Sequence, residues 1–251
     1  MFSYFIQNKV WNTSGSGSFG TDIDEMYQHS IKIAKQYKDN LGPSLDGKVM
    51  LEIGTGFTRA TMLYLIKEHN LSKVYCYDKF NVLHKNDEKI IDKYELREYL
   101  SRLVYISGDN IELTKNIERE SVDYIVSNAV LEHVDDLELL FDNLIKVLKR
   151  GGEMYHKVDL RCHNKFKVHG ELYFHTFSEN VWNIMGRNIG HPNRTTVDQY
   201  VSLFDRMNLR YIFNTVSEFP NSELLKASSY LNRIDVDLLK TSIFEVSLFK
   251  L

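Results

Sequence analysis

Short apolar runs alternate with polar or helix-like stretches along most of the chain. From Lys48 onward, four strand-length runs follow one another in this way, and three more come later. Such alternation is typical of a parallel sheet whose strands are joined by crossover helices. We therefore predict an α/β fold with a doubly wound, seven-stranded, mostly parallel sheet and helices on both faces. The predicted strands are KVMLEI, SKVYCYD, RLVYIS, VDYIVS, GEMYHKVDL, LRYIFNTV and TSIFEVSLFKL.

Two segments show clear helical periodicity. The first has apolar residues at helical spacing and is expected to end near NLGPS; these residues are Ile23, Met26, Tyr27, Ile31, Ala34 and Tyr37. The second, DDLELLFDNLIKVLK, has Asp135 and Glu138 at the spacing of a capping box, and Gly151 is placed to stop it. The glycine- and serine-rich SGSGSFGTD before the first helix predicts a flexible lead-in or lid.

Length, composition and charge limit the number of domains, the kinds of partner and the location that we expect. A chain of 251 residues with 43% hydrophobic content can bury one full core, and we expect one domain rather than two. A formal net charge of -3 and no long basic run give no electrostatic reason to expect nucleic acid. Without a stretch of ~18 apolar residues or a secretory signal pattern, we expect no membrane association and a cytoplasmic location. Cys76 and Cys162 lack CxxC spacing and are expected to be reduced.

The turn after the first predicted strand, in VMLEIGTGFTRATMLYLI, is a candidate ligand site. Gly54 and Gly56 let the backbone approach a ligand closely, and Glu52 ends the strand beside them. Thr58 stands near the place where a dinucleotide fingerprint needs its third glycine, which argues against a NAD-dependent dehydrogenase. Asp78 ends the second strand, where a carboxylate can accept hydrogen bonds from both hydroxyls of a ribose. The alternatives are a turn shaped by packing and an aspartate that only caps a helix.

Asp109 follows the third strand and adds a third polar group at a strand end. With this residue the chain resembles the class I S-adenosylmethionine-dependent methyltransferases over residues 48–158, whose ExGxG turn matches residues 52–56. The resemblance implies S-adenosylmethionine as the cofactor, with Gly54 and Gly56 facing its methionine part, Asp78 its ribose and Asp109 its adenine. It also implies the Rossmann-like methyltransferase fold, with an antiparallel seventh strand at one edge.

The fourth strand continues the match. SVDYIVSNAVLEHV and the later LKRGG turn resemble the corresponding run of many small-molecule methyltransferases. By this resemblance Asn128 lies beside the methionine moiety and the methyl group that is transferred. The alternative is that Asn128 is an ordinary turn residue.

Candidate catalytic and acceptor residues follow the fourth and fifth strands. Transfer to an alcohol needs a neighbouring group that takes its proton, and His133, Asp159 and His163 are the candidates for this general base. Packing or helix capping is the alternative for each. Divalent metal ligation by these three residues is the less favoured hypothesis, because their spacing is not a ligand signature. The candidate acceptor-binding residues are Arg161, His169, His175, Asn193 and Arg194, where Arg161 would bind a phosphate or pair with an acid.

The later segments resemble methyltransferases of surface polysaccharide and sugar biosynthesis. We therefore predict an O-methyltransferase that acts on a sugar or nucleotide-linked sugar in the biosynthesis of a capsule or another surface polysaccharide, with a His or Asp as general base. A methyltransferase of a small non-sugar amine or alcohol and a non-catalytic donor-binding module are the alternatives. Within the single domain we expect an N-terminal lid and helix at 1–47, a donor-binding core at 48–158, an acceptor-binding insertion at 159–209 and the last strands at 210–251.

Overall fold

One seven-stranded sheet forms the centre of the protein. The computed structural model describes residues 22–162, 169–185, 192–229, 231 and 236–251. Strand order is β3-β2-β1-β4-β5-β7-β6. The strands are β1 Val49–Ile53, β2 Lys73–Asp78, β3 Leu103–Ser107, β4 Val122–Asn128, β5 Leu148–Asp159, β6 Leu209–Glu218 and β7 Thr241–Lys250. Strands β1 to β5 pair in parallel, whereas β7 is antiparallel to both of its neighbours.

Helices connect most of these strands. In the described ranges they are α1 Ile23–Asn40, α2 Ala60–His69, α3 Asp87–Lys93, α4 Ile111–Asn116, α5 Leu137–Val147, α6 Glu179–Met185, α7 Val197–Arg206 and α8 Asn221–Ser228. Short 3-10 turns lie at Arg97–Arg102, Leu131–His133, Tyr173–Thr176 and Val236–Leu239. Among the helices of these ranges, none combines the length and apolar character that a bilayer-spanning helix needs.

The sheet has a separate hydrophobic core on each face. Side chains of α1, α2 and α3 pack with Met50 of β1 on one face. Side chains of α4, α5 and α7 pack with Leu51 and Ile53 of β1 on the other. Because successive side chains of a strand point to opposite faces, one continuous apolar run fills both cores. The prediction of a doubly wound α/β sheet is confirmed.

Two local predictions were wrong by a few residues. Helix α5 is capped by Asp136, whose carboxylate accepts a hydrogen bond from the Leu139 N–H, and Asp135 lies outside the cap. The helix ends at Val147 and β5 begins at once, so Gly151 lies inside the strand rather than at the helix end. The spacing of polar residues in the sequence does not distinguish Asp135 from Asp136 as the residue that caps the helix.

The last strand is antiparallel, as expected, but it does not lie at the edge. Strand β7 sits between β5 and β6, and β6 forms the edge of the sheet. Alternate residues of β7, including Phe244, Val246 and Leu248, are buried in one core. Such alternation is typical of a strand with one face packed against the core. It does not specify which strands are its neighbours in the sheet. The predicted flexible lead-in lies mainly outside the described residues.

Candidate active site

A cavity of about 950 Å³ opens at the carboxyl ends of the parallel strands. This is the edge of a doubly wound sheet where ligands bind, beside the point at which strand order reverses. Its walls include all of the residues predicted to bind the donor: Glu52, Gly54, Gly56, Asp78, Asp109 and Asn128. The same cavity is also lined by His133, Asp159 and Arg161 from the predicted acceptor side.

The glycine turn after β1 fits closely against the neighbouring segment. The backbone φ is +74° at Gly54 and +66° at Gly56, a region that residues with a side chain rarely adopt. A Cβ atom added at Gly54 would lie 2.2 Å from Cγ2 of Val130. The Gly54 N–H donates to the Tyr77 carbonyl at 2.7 Å, which fixes the turn against β2. A glycine is therefore required at Gly54 by conformation and by space.

Asp78 is linked to the same turn. Its Oδ2 accepts a hydrogen bond from the Gly56 N–H at 2.9 Å, and its Oδ1 accepts one from the Phe80 N–H at 3.0 Å. Burial raises the pKa of Asp78, and these two N–H groups act against that shift. Each carboxylate oxygen can accept more than one hydrogen bond. The carboxylate can thus hold the turn and still accept hydrogen bonds from a ribose.

Glu52 is buried under helix α1. The Tyr37 hydroxyl donates to its Oε1 at 3.3 Å, and among the described residues Oε2 has no hydrogen-bond partner. Burial raises the pKa of Glu52 to about 8, although the hydrogen bond from Tyr37 opposes the shift. An unpartnered buried carboxyl oxygen on a cavity wall suits a ligand that carries hydrogen-bond donors and positive charge.

Asp109 and Asn128 complete the predicted donor side. Asp109 is exposed and follows Gly108, whose carbonyl accepts a hydrogen bond from the Tyr77 hydroxyl at 2.8 Å. Asn128 is the last residue of β4. The next residue, Ala129, has a φ of +54° and donates its N–H to the Lys157 carbonyl at 2.8 Å. Both predicted side chains therefore stand on backbone that neighbouring strands hold in place.

On the acceptor side, Asp159 and Arg161 form an ion pair. The guanidinium donates from Nε to Oδ1 at 2.8 Å and from Nη2 to Oδ2 at 2.5 Å. This contact raises the pKa of Arg161. Both carboxylate oxygens of Asp159 are thus engaged by the neighbouring guanidinium. His133 lines the cavity without being part of this ion pair.

Four of the predicted acceptor-binding residues do not line this cavity. His169 stacks on Tyr173 with ring centroids 4.5 Å apart. His175 is largely buried, and this burial lowers its pKa to about 3. Arg194 donates to the Phe177 carbonyl at 2.6 Å, and it also pairs with Glu179.

Asn193 is the fourth of these residues. Its side-chain amide donates to the carbonyls of Leu131 at 2.8 Å and Val134 at 2.9 Å. The structure thus gives it contacts within the protein, and acceptor binding by all four of these residues stays a prediction that the geometry does not favour.

Two further points concern the predicted base and metal. His163, which is both a predicted base and one of the three predicted metal ligands, lies outside the described residues. Within the described part of the chain, no group of three or more His, Cys, Asp or Glu side chains is arranged to hold a metal ion. His156 of β5 is buried, its Nδ1 lies 2.7 Å from the Ser127 hydroxyl, and burial lowers its pKa to about 3.

Several residues of the site were not predicted from the sequence. Helix α1 contributes Met26, His29, Ser30, Ile33 and Tyr37 to the cavity wall. Glu132, which lies in the LEHV segment, was not predicted to have a role. It is buried, and its Oε1 accepts the Asp159 N–H at 3.2 Å. The helical periodicity of α1 gave its buried face, but only the packed structure shows which of those side chains border the cavity.

The family profile for methyltransferase domains matches residues 27–214, well over half of the chain. The chain belongs to this family. It is a class I S-adenosylmethionine-dependent methyltransferase domain, and S-adenosylmethionine is its cofactor. Sequence comparison finds no match among curated proteins. The predicted family and cofactor are thereby confirmed.

Solved structures share the fold of this methyltransferase domain at low sequence identity. Geranyl diphosphate C-methyltransferase from Streptomyces coelicolor has a TM-score of 0.60 and 12% identity, covering 95% of this chain and 86% of that one. A putative sarcosine dimethylglycine methyltransferase from Galdieria sulphuraria has a TM-score of 0.58 and 16% identity, covering 99% and 98%. Phosphoethanolamine N-methyltransferase 2 from Haemonchus contortus, with bound S-adenosylmethionine, has a TM-score of 0.56 and 17% identity, covering 89% and 52%.

These likenesses concern the fold. The chain spans about half the length of the phosphoethanolamine N-methyltransferase, at 52%. The names of the three proteins refer to geranyl diphosphate, sarcosine and dimethylglycine, and phosphoethanolamine. The predicted sugar acceptor and the role in surface polysaccharide synthesis therefore receive no support from them.

Proposed function

We propose that this domain methylates a hydroxyl group of a small acceptor, for which a sugar or nucleotide-linked sugar is the class we favour. The observation that carries the proposal is the single cavity of about 950 Å³ that joins the donor-side residues to His133, Asp159 and Arg161. Its volume lies at the upper end of the range of about 300–1,000 Å³ for small-molecule pockets. There is room for a donor and a small acceptor side by side.

The residues present fit the donor. Gly54 and Gly56 line the cavity, and the turn that they form would hold the methionine part. Asp78 would hold the ribose and Asp109 the adenine, while Glu52 offers its unpartnered Oε2 to the positively charged part of the molecule. Bound there, S-adenosylmethionine supplies an electrophilic methyl group on a sulfonium sulfur. The protein then has to align the acceptor hydroxyl with this methyl group and remove the proton of that hydroxyl.

We assign the general base to His133. A neutral imidazole suits proton removal near neutral pH. The competing candidate, Asp159, already accepts three hydrogen bonds from Arg161, one from its backbone N–H and two from its guanidinium. That ion pair uses Nε and Nη2 of the guanidinium, so Nη1 is left for an anionic group of the acceptor such as a phosphate. A nucleotide-linked sugar has both the hydroxyl and the phosphate that these residues would bind.

The charges of the acceptor side favour a neutral hydroxyl over a cationic amine. Asp159 is paired with Arg161, and Asp135 is paired with Lys79 at 3.1 Å. Asp136 accepts the N–H that caps α5. An amine acceptor gains most from a carboxylate without a partner, and these three already have partners. Amine methylation is the outcome that would replace this proposal.

The test is incubation with methyl-labelled donor and a panel of nucleotide-linked sugars, free sugars and small amines, with product identification by mass spectrometry. Labelled methyl ether on a sugar supports the proposal, and label on nitrogen contradicts it. Donor binding without transfer to any acceptor would indicate a non-catalytic module. His133→Ala should lower turnover by ~10²–10⁴-fold while the affinity for S-adenosylhomocysteine is kept.

The matched control is His69→Ala, a histidine at the end of α2 that does not line the cavity. It should leave turnover unchanged. Normal turnover by folded His133→Ala would show that the base has been assigned to the wrong residue.

A further inference from the structure

The side-chain amide of Asn193 donates both of its hydrogen bonds to one turn of the protein. Both amide hydrogens of its Nδ2 are used, by the carbonyls of Leu131 and Val134. Its Oδ1 accepts the Thr195 N–H at 2.9 Å. Its own backbone N–H donates to the Glu132 carbonyl at 2.6 Å. The turn that receives three of these bonds, residues 131–134, is called the His133 turn below.

A second contact links the same turn to the end of β5. The carboxyl group of Glu132 is buried, and its Oε1 accepts the backbone N–H of Asp159 at the end of β5. Burial raises the pKa of Glu132 well above its ordinary value and so favours its neutral form. A neutral carboxyl group that serves as a hydrogen-bond acceptor has glutamine as its close isostere.

The His133 turn also abuts the donor site. Val130, the residue before it, fills the space that a side chain at Gly54 would need. Residues 192–196 thus connect through Asn193 to the His133 turn, and that turn connects to the glycine turn after β1. Each link is a direct contact between described residues.

We infer that Asn193 and Glu132 are positioning residues that hold His133 in place beside the donor and the acceptor. This differs from the sequence-based expectation for Asn193, because an amide whose two hydrogens are both used inside the protein has none left to donate to an acceptor. The kinetic part of the inference rests on the proposed methyl transfer. Loss of alignment of about 1 Å can lower a rate by about 10²-fold, so removing the hydrogen bonds should act on turnover.

The central experiment compares Asn193→Asp with the wild-type protein. Aspartate keeps the size of the side chain and the oxygen that accepts from Thr195, but it removes both donors to the His133 turn. Turnover should fall by about 10²-fold, while the acceptor KM and the affinity for S-adenosylhomocysteine stay close to wild type. Asn193→Ser, which keeps one donor, is a milder variant and should show a smaller loss. Asn116→Ala, at an exposed position on α4, is the control and should behave as wild type.

Glu132 supplies an independent comparison. Glu132→Gln keeps a neutral side chain that accepts the Asp159 N–H, and it should retain turnover. Glu132→Ala loses that contact and should lose turnover in the same way as Asn193→Asp. Rescue by the isostere separates positioning from a need for the ionised carboxylate.

A readout that needs no acceptor tests the same inference. In histidine-labelled protein, the NMR titration of the His133 ring should change in Asn193→Asp and Glu132→Ala, and it should not change in Glu132→Gln or Asn116→Ala. This result stands even if no acceptor is methylated, so failure of the proposed function and failure of this inference remain distinguishable. An unchanged titration in folded Asn193→Asp, or a rise in acceptor KM with turnover unchanged, would overturn the inference.

Discussion

Gly54→Ala perturbs the point where the donor turn meets the segment after β4. The added methyl group has two separate consequences. Gly54 has a φ of +74°, which an alanine adopts only with strain, and the new Cβ would lie 2.2 Å from Cγ2 and 2.9 Å from Cγ1 of Val130. Real carbon atoms do not approach so closely, so either the turn or Val130 has to move.

The magnitude follows from these two effects. Left-handed backbone costs a residue with a Cβ about 1–2 kcal/mol. Overpacking of a close contact costs about 1–3 kcal/mol more. Together they predict that Gly54→Ala lowers the free energy of unfolding by about 2–5 kcal/mol. The shifted turn should also weaken donor binding by at least ~10-fold, which corresponds to about 1.4 kcal/mol.

Gly151→Ala is the matched control. Gly151 has a φ of +70°, nearly that of Gly54, but nothing lies within 4 Å of the Cβ position. It should therefore show the backbone cost of about 1–2 kcal/mol alone and leave donor affinity unchanged. Urea unfolding followed by circular dichroism gives the stabilities, and calorimetry with S-adenosylhomocysteine gives the affinities. The double variant Gly54→Ala with Val130→Ala should recover part of the loss, with a coupling free energy of about 1–3 kcal/mol.

Equal destabilisation in Gly54→Ala and Gly151→Ala would refute the role of the contact with Val130. Normal donor affinity in Gly54→Ala would refute the placement of the donor at this turn. Absence of coupling to Val130→Ala would show that strain is relieved by movement elsewhere. Each of these results can be reached while the fold remains intact.

Three further predictions concern the donor site and the chemistry. Asp78→Ala should weaken binding of S-adenosylhomocysteine by about 1–3 kcal/mol in calorimetry, because ribose hydroxyls lose their acceptor, and unchanged affinity in a folded variant would exclude that role. Glu52 has a folded-state pKa of about 8 against an ordinary value of 4.5, so the folded protein holds a proton that the unfolded chain releases. The contribution of Glu52 to stability should therefore be fully present below about pH 4.5 and be lost toward pH 8 by up to about 1.4 kcal/mol per pH unit. Glu52→Gln should flatten this part of the unfolding profile, and an identical profile in the variant would contradict the assignment. Methyl transfer should persist after treatment with a chelator, whereas a loss restored by magnesium or manganese would make the predicted base residues candidates for metal ligands.

Much of the fold followed from the sequence. Apolar runs of strand length, separated by segments with helical spacing, were enough to place seven strands and the two clearest helices, because side-chain period and burial are coupled in each element. The order of the last two strands was not determined in this way. Strand β7 has the same alternating pattern whether it lies at the edge or between β5 and β6, and only long-range pairing puts it inside.

The donor side of the site was also largely determined by local sequence. Glycines at a strand end and an acid at the end of the next strand act through their own backbone and position, so Gly54, Gly56 and Asp78 could be named from the chain alone. The same holds for Asp109 after β3, and all of these line one cavity.

The acceptor side was decided by tertiary structure. Sequence placed His175, Asn193 and Arg194 near the acceptor because polar residues cluster there, but their hydrogen bonds and burial depend on segments far away along the chain. Asn193 bonds to a turn some sixty residues earlier, as its separations of 62 and 59 positions from Leu131 and Val134 show. The type of a polar residue does not predict whether its side chain will bind a ligand or a carbonyl group from a distant part of the chain. The partner is determined when the chain packs, because most buried donors and acceptors then pair with a group that lies within reach.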